Sequence, residues 1–300
     1  MPERKIPVLF GATASGKTEL SLALAKAIDG HIINMDSLQI YKDLSIGTAK
    51  PTAKERSLVP HHLFDFLDPT EEFSVAQYQE AALTKIDEIL SKGATPIFVG
   101  GTGLYLSSLY YDFTFREKRE REEEFQKLLD ELGEEGIVAK LKEYGVEGLD
   151  KVDTRNPHRL FRVWQSREVH PSGERTRSSL PLVIFHLRQP REVLHQRIAQ
   201  RTQKMLEEGL IQEVQQLLDA GLHDSHPAMK GIGYRETCQF IRGQITRDEL
   251  EEKIIVSTRQ YAKRQLTWIR NQYPDVQDLD ATCPTEILVG IIQRFIKESS

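Results

Sequence analysis

The order of apolar and polar positions predicts that the chain begins as a strand, a helix and a second strand. Residues 6–10 are an apolar run, and residues 19–26 carry apolar side chains at helical spacing. Residues 31–36 form a second apolar run that ends on Asp36. Short apolar runs that alternate with helices are typical of a parallel sheet flanked by helices. Asp36 is therefore expected at the carboxyl edge of the sheet, where open α/β sheets bind ligands.

The same patterns predict elements along the rest of the core. They are an amphipathic helix at 74–90, a strand at 95–99, a strand at 182–187, a helix that begins after Pro190, and a long helix at 248–271. Ser74 is the expected N-cap of the first of these helices. Residues 42–73 contain several prolines and the adjacent His61 and His62, so a surface loop is expected there. Two adjacent histidines can also indicate a metal site, but no third ligand stands at helical spacing, so solvent-facing loop residues are expected.

A change of character near residue 113 indicates an inserted domain. Residues 116–135 are highly charged with few apolar positions, as in a solvated helix. We predict an α/β protein with a P-loop NTPase-like core, made of residues 1–114 and 180–300, and a small all-helical insertion at 115–179. Arginines in this insertion alternate with Phe161 and Trp164, a pattern that suits RNA, although both aromatic side chains could equally form the core of the insertion.

Composition excludes several classes of protein. Of 300 residues, 39% are hydrophobic and 28% are charged, and the net charge is -5, so any polyanion must be held by local basic clusters. Two cysteines, far apart, indicate neither a disulfide framework nor a zinc site. No apolar stretch approaches the roughly 18 residues of a membrane span, and no signal peptide precedes the first strand. We expect a cytoplasmic protein, monomeric because no exposed heptad seam is present.

The segment between the first strand and the first helix matches the phosphate-binding pattern G-x-x-x-x-G-K-[ST]. Its residues are Gly11, Ala12, Thr13, Ala14, Ser15, Gly16, Lys17 and Thr18. In such a loop the backbone N–H groups point at phosphate oxygens, the Lys17 ammonium adds charge, and the Thr18 hydroxyl is placed to bind Mg²⁺. The motif does not distinguish ATP from another diphosphate.

Two basic helices accompany this phosphate loop. Arg197 and Arg201 lie one turn apart and share a helix face, which in a P-loop protein can close over phosphates or form surface salt bridges. The long helix at 248–271 carries four cations and no acid after Lys253. Such clusters offer contacts to a nucleic-acid backbone.

Six segments together resemble the bacterial tRNA dimethylallyltransferase family. They are residues 11–18, 34–41, 100–105, 191–210, 230–235 and 258–268, in order over nearly the whole chain. Two positions depart from the family pattern, Ala12 in place of proline and Met35 in place of alanine. Neither side chain is needed for phosphate or proton chemistry.

The resemblance implies transfer of a dimethylallyl group from dimethylallyl diphosphate to N6 of adenosine 37, beside the anticodon of tRNAs that read codons beginning with U. Asp36 would be the general base, with outer ligation of Mg²⁺ as its alternative role, and Thr102 would bind the bridging oxygen of the diphosphate. Lys17, Arg191 and Arg197 would stabilise the leaving diphosphate.

By the same resemblance, the tRNA anticodon stem-loop would be bound by three segments, with Gln39 reading the adenine edge. Their residues are Asp36, Ser37, Leu38 and Gln39; His158, Arg159, Leu160, Phe161 and Arg162; and Lys230, Gly231, Ile232, Gly233, Tyr234 and Arg235.

Two other functions share part of these features. A small-molecule or nucleoside kinase would use the P-loop, Asp36 and the arginine helix as a lid over ATP. The basic helix at 259–270 and the arginine–aromatic stretch at 155–167 are features that a metabolite kinase does not need. A non-catalytic RNA-binding module would leave Asp36 without a role.

Overall fold

The computed structural model describes residues 5–111, 118–146, 148–166 and 176–297, without the side chains of residues 118–122, 151, 158, 162, 165 and 166. The chain divides into two compact units. Residues 1–110 and 179–300 form the larger unit, and residues 111–178 form the smaller one.

The larger unit is built on a six-stranded sheet. Its strands are β1 (Ile6–Gly11), β2 (Gly30–Met35), β3 (His61–His62), β4 (Thr95–Gly100), β5 (Leu182–Arg188) and β6 (Gln277–Asp280). Every neighbouring pair is parallel, in the order β3-β2-β4-β1-β5-β6. The central strands β1 and β4 read as continuous apolar runs because helices cover both faces of a parallel sheet. The predicted α/β class is confirmed.

The described part of this unit contains nine α-helices. They are α1 (Lys17–Ile28), α2 (Ala53–Arg56), α3 (Val75–Ser91), α4 (Gly103–Tyr110), α7 (Arg191–Glu207), α8 (Leu210–Asp219), α9 (Tyr234–Ile241), α10 (Arg247–Gln272) and α11 (Thr285–Lys297). Ser74 caps α3 as predicted: its hydroxyl accepts the Gln77 N–H, and the Gln77 side chain accepts the Ser74 N–H.

The predicted loop at 42–73 is only partly correct. Residues 53–56 form the short helix α2, and His61 and His62 pair with Ile32 and Ile33 as the edge strand β3. The Nδ1 of His31 and the Nε2 of His62 lie 3.1 Å apart, and the two rings stack. The strand β6 was also missed. Strands of two and four residues are too short to show a period of two.

Register brings three chain segments to the carboxyl edge of the sheet. Gly100 of β4 is opposite Phe10 of β1 on one side and opposite Met35 of β2 on the other. The phosphate loop, Asp36 and the segment that follows Gly100 therefore begin side by side. The prediction that Asp36 lies at this edge is confirmed.

The end of β2 is held from one face by Tyr78 of α3. Its hydroxyl donates to the Asn34 carbonyl at 2.9 Å, and its ring stacks on Tyr105 of α4 with centroids 3.7 Å apart. Tyr78 is fully buried. Asn34 in turn donates to the carbonyls of Asp36 and Leu63, so this buried cluster supports the backbone that carries Asp36.

The smaller unit contains α5 (Lys118–Glu143), which kinks at Gly133, and α6 (Pro157–Ser166). Among its described residues, the core consists of Phe125, Ile137, Leu141, Leu149, Leu160 and Trp164. The alternative that places Trp164 in the core is correct, since its side chain is 1% exposed. Among the described helices of both units, none has the length and apolar character that crossing a bilayer requires.

Replacing Tyr78 by phenylalanine should destabilise the protein by about 1 to 2 kcal/mol, because the bond to the buried Asn34 carbonyl is lost while the ring stays in place. Tyr78→Ala also removes the ring and should cost about 3 to 5 kcal/mol. Urea unfolding with an unchanged slope measures both changes. Equal stability of Tyr78→Phe and wild type would contradict the assigned role of the hydroxyl.

Candidate active site

The phosphate loop connects β1 to α1 through two residues in the left-handed region. Ala14 has φ 64° and Gly16 has φ 99°. At Gly11 a Cβ atom would lie 2.6 Å from the Ser15 Oγ and 3.3 Å from the Leu187 carbonyl oxygen, so the start of the loop is closely packed. The loop then delivers its N–H groups to the N-terminus of α1, where the helix dipole favours an anion.

A cavity of about 600 Å³ lies against this loop, and we call it the phosphate cavity. Residues Thr13 to Thr18 line it on one side, and Arg197 and Arg201 of α7 line it on another. Its other lining residues include Asp36, Gln39, Thr48, Gly101, Tyr261 and Gln265. Three cationic side chains, Lys17, Arg197 and Arg201, thus surround a space that suits a small polyanion.

Lys17 is preorganised at the floor of this cavity. Its Nζ donates to the carbonyls of Gly11 and Ala12 at 2.9 and 2.8 Å. Burial, together with the nearby Arg201 charge, lowers the pKa of Lys17 to about 8, against an opposing effect of Asp36. Burial and Arg201 thus disfavour the charged form of Lys17, and an anion bound beside the ammonium would stabilise that form.

Gln265 of α10 anchors the phosphate loop to the end of β4. Its Oε1 accepts the Thr13 N–H at 3.0 Å, and its Nε2 donates to the Gly101 carbonyl at 2.9 Å. The side chain of Ala12 packs with Leu194 and Ile198 of α7 and with Ala262 of α10 in a separate apolar cluster. The side chain at position 12 thus contributes to packing between helices and not to phosphate binding.

Asp36 follows β2 in a turn that sets the direction of its carboxylate. Its Oδ1 accepts the Leu38 N–H at 2.9 Å, and its own N–H donates to the Asn34 side chain at 2.9 Å. The Ser37 N–H donates to the Thr102 hydroxyl at 3.1 Å, which ties this turn to the segment after β4. The Thr102 hydroxyl also bonds to Tyr261 of α10.

A second cavity of about 360 Å³ adjoins the first, and we call it the adjoining cavity. Five residues line both cavities: Thr13, Asp36, Thr48, Arg201 and Tyr261. The remaining lining mixes apolar side chains with cations, including Leu38, Ile198, Ile232, Ile254, Lys230, Arg235 and Arg264. A carboxylate and a tyrosine hydroxyl thus lie where a cavity surrounded by cations meets a partly apolar cavity.

Two family models match the chain and decide the class of protein. The IPP transferase model matches residues 39–272, and the isopentenyl transferase model matches residues 4–61. The chain belongs to the IPP transferase family. The family transfers an isopentenyl group and not a phosphoryl group, so neither the kinase nor the non-catalytic RNA-binding module is the function of this P-loop protein.

Relatives of known name agree with this assignment. The tRNA dimethylallyltransferase of Bacillus velezensis is 40% identical and covers 96% of this chain and 95% of its own length. That of Acetivibrio thermocellus is 41% identical over 88% of each chain.

Solved structures of the family share the whole fold. The tRNA isopentenylpyrophosphate transferase of Bacillus halodurans superposes with a TM-score of 0.75 at 34% identity, covering 99% of this chain and 97% of that one. A eukaryotic dimethylallyltransferase acting on tRNA gives 0.80 at 25% identity, covering 99% of this chain and 81% of that one.

Many of the residues predicted for an IPP transferase site do meet at the two cavities. Asp36 and Lys17 are there with Arg197, Ser37 and Leu38. The segment 230–235 contributes Lys230, Gly231, Ile232, Gly233 and Arg235 to the adjoining cavity. Thr102 lies next to this group and reaches it through Ser37 and Tyr261.

The structure corrects the prediction for Arg191. It is the exposed first residue of α7 and does not line either cavity in the described part of the chain. Arg191 precedes Arg197 by six residues, which turns it by about 240° around the helix axis. Arg201, one turn after Arg197, lines both cavities instead.

Two predicted RNA contacts are buried side chains. Tyr234 is fully buried, with its hydroxyl donating to Glu213 at 2.7 Å, and Leu160 is fully buried in the core of the smaller unit. Neither can touch RNA in this structure. Phe161 packs on Phe125, whereas Arg159 is exposed; the side chains of His158 and Arg162 lie outside the described residues.

Gln39 lies elsewhere than predicted for a residue that reads adenine. It lines the phosphate cavity, and its Nε2 donates to the carbonyls of Thr48 and Ala49 at 3.1 and 3.4 Å. An amide whose donor is held by backbone carbonyls cannot offer that donor to a base.

Tyr261 and Gln265 were missed as site residues. They are one helical turn apart on α10, with Lys263 on the opposite, exposed face and Arg264 beside Tyr261, where its guanidinium lies 5.7 Å from the centre of the Tyr261 ring. Two polar residues on the buried face of a helix are the sequence signal that could have identified them.

Because Lys17 has a pKa of about 8, it is charged below that pH and neutral above it. The affinity for inorganic diphosphate relative to that of Lys17→Arg should therefore fall about tenfold between pH 7 and pH 9 as this proton is lost. Isothermal titration calorimetry measures the dissociation constant. Lys17→Arg keeps its positive charge over this range and should not show the pH dependence that is due to Lys17. The same change of affinity with pH in both proteins would contradict the lowered pKa of Lys17.

Proposed function

We propose that this transferase moves the dimethylallyl group of dimethylallyl diphosphate to N6 of adenosine 37 in a tRNA anticodon loop and releases diphosphate. The observation that supports this most directly is the position of Asp36, which lines both the phosphate cavity and the adjoining cavity. A base at the junction of an anion site and a partly apolar site suits transfer between a diphosphate and an amine. A tRNA substrate also supports the predicted cytoplasmic location. The monomeric state remains a prediction.

The phosphate cavity would hold the leaving diphosphate. Bond breaking at the allylic carbon builds negative charge on the diphosphate, and fixed cations around it lower the barrier. Lys17, Arg197 and Arg201 are the side chains available for this. Loss of one such contact is expected to reduce the rate by about 10²–10³.

The donor set at the start of α1 fits Mg²⁺. Among the described residues, no group of three or more His, Cys, Asp or Glu side chains could hold a metal by itself. The Thr18 hydroxyl lines the phosphate cavity, and Mg²⁺ commonly binds one or two protein oxygens together with substrate phosphates. Bound there with Thr18, Mg²⁺ would neutralise charge on the diphosphate.

Asp36 would accept the proton of the adenine amine. An exocyclic amine becomes acidic only as the new C–N bond forms, so a carboxylate within hydrogen-bond reach is the appropriate base. The Leu38 N–H holds Oδ1, which leaves Oδ2 as the oxygen that we assign to the proton. Burial raises the pKa of Tyr261, so its hydroxyl stays protonated and can donate beside Asp36 and Thr102.

The adjoining cavity would receive the flipped adenine. Leu38, Ile198 and Ile232 provide apolar contacts for a flat base, and Lys230, Arg235 and Arg264 provide cations for the RNA backbone. Arg235 is itself oriented by the buried Glu236, whose Oε1 lies 2.5 Å from its Nη2. The arginines would set affinity and salt dependence.

Mass spectrometry of an unmodified anticodon stem-loop RNA tests the proposal directly. The RNA is incubated with the protein, Mg²⁺ and dimethylallyl diphosphate, and separately with ATP in place of the diphosphate. A gain of one isopentenyl group with dimethylallyl diphosphate alone is expected. An unchanged RNA with wild-type protein would refute the proposed reaction.

The change Asp36→Asn should lower the rate of transfer by about 10²–10⁴, because the amide cannot take the proton. Single-turnover kinetics with saturating substrates measure the chemical step. Asp43→Asn is the matched control, since Asp43 is exposed and does not line either cavity among the described residues. Transfer by Asp36→Asn at the wild-type rate would exclude Asp36 as the base.

A further inference from the structure

One carboxylate of α8 binds a whole turn of a distant loop. The Oε2 of Glu213 accepts the N–H groups of Ser45 and Ile46 at 3.0 and 2.7 Å, and its Oε1 accepts the Gly47 N–H at 3.1 Å. Three successive N–H groups that converge in this way form a concave anion-binding nest. Here the nest is filled by a side chain of the protein itself, 166 to 168 residues away in the chain.

Tyr234 of α9 completes the arrangement from the other side. Its hydroxyl donates to the same Glu213 Oε1 at 2.7 Å. Its ring lies against Gly47, where an added Cβ would be 2.5 Å from a ring carbon. The loop at 45–47 is therefore held both by a charge-assisted network and by packing that only glycine allows.

This loop supports the groups that face the active-site cavities. The carbonyl of Thr48, the next residue, accepts the Nη2 of Arg201 at 3.2 Å and the Nε2 of Gln39 at 3.1 Å. Thr48 and Arg201 both line the phosphate cavity and the adjoining cavity. A shift of the loop would thus move the acceptor that orients the Arg201 guanidinium.

We propose that Glu213 and Tyr234 are positioning residues for Arg201 and act through the loop at 45–48. Neither side chain lines either cavity among the described residues, so both would act on the substrate through others. Where catalysis is concerned, this inference rests on the proposed transfer reaction. The role in anion binding does not depend on it.

The roles of Glu213 and Tyr234 can be tested by variants that each change one charge or one hydrogen bond. Glu213→Gln replaces one carboxylate oxygen by an NH₂ group, which cannot accept a hydrogen bond. In the variant this NH₂ group faces the N–H groups of the nest or the Tyr234 hydroxyl. Tyr234→Phe keeps the ring on Gly47 and removes only the hydroxyl bond. Glu207→Gln, at the exposed end of α7, is the matched control for loss of one negative charge.

A double-mutant cycle with Arg201→Gln distinguishes positioning from general stabilisation. For inorganic diphosphate, measured by calorimetry, Glu213→Gln should weaken binding about 10- to 100-fold and Tyr234→Phe about 3- to 10-fold. In the Arg201→Gln background both effects should fall below about threefold, because the oriented group is gone. Additive effects in the two backgrounds, or wild-type affinity in Glu213→Gln, would overturn the proposal.

Hydrogen exchange of the loop provides a readout that is independent of any ligand. The amides of Ser45, Ile46 and Gly47 should exchange faster in Glu213→Gln than in wild type and Glu207→Gln, while the amides of β1 stay protected. Unchanged exchange at all three amides would overturn the proposal even if activity fell. Transfer to stem-loop RNA is measured in the same series: absence of transfer by wild type would refute the reaction and leave the binding and exchange results to decide this inference.

Discussion

The parallel register of β1, β2 and β4 is the constraint on which the site depends. It places Phe10 and Met35 on the two sides of Gly100, so three segments far apart in sequence leave the sheet together. Two further bonds join these segments beyond the strands: the Thr102 N–H donates to the Met35 carbonyl, and the Ser37 N–H donates to the Thr102 hydroxyl, both at 3.1 Å. A one-residue slip of the β2–β4 pairing would shift Asp36 along the sheet edge relative to the phosphate loop and turn the side chains of β2 to the other face.

The helices α7 and α10 convert this sheet edge into two cavities with different chemistry. Arg197 and Arg201 of α7 add charge to the phosphate side, where burial strengthens electrostatic interactions. The inward face of α10 contributes Tyr261 and Gln265, and Arg264 beside Tyr261 lines the adjoining cavity, while Lys263 lies on the exposed face. The same helix thus fixes the phosphate loop through Gln265 and adds the Arg264 cation to the adjoining cavity. Asp36 lies at the junction and lines both cavities.

Local signals predicted much of this arrangement because their physical causes lie within a few residues. A phosphate loop needs its glycines, Lys17 and Thr18 within one short segment, and a helix cap needs only Ser74 and Gln77. Apolar runs predicted the long strands, and the position of Asp36 after one of them predicted its place at the sheet edge. The family resemblance, carried by six such segments, added the identity of the reaction class.

Tertiary structure decided which side of each segment faces the site. From sequence, Tyr234 and Leu160 are members of segments that suit RNA, yet both are buried, whereas Arg191 is exposed but turned away from the cavities. The bond from Gln265 to the Thr13 N–H joins residues 252 positions apart, and Glu213 reaches Gly47 from 166 positions away. Whether a side chain is buried, and which distant residue it bonds to, depends on the elements that pack against it. No local sequence pattern contains that information. The sequence by itself therefore determined the phosphate-binding motif, the long strands and the chemistry available, and only the fold determined which polar groups face the cavities and which hold those groups in place.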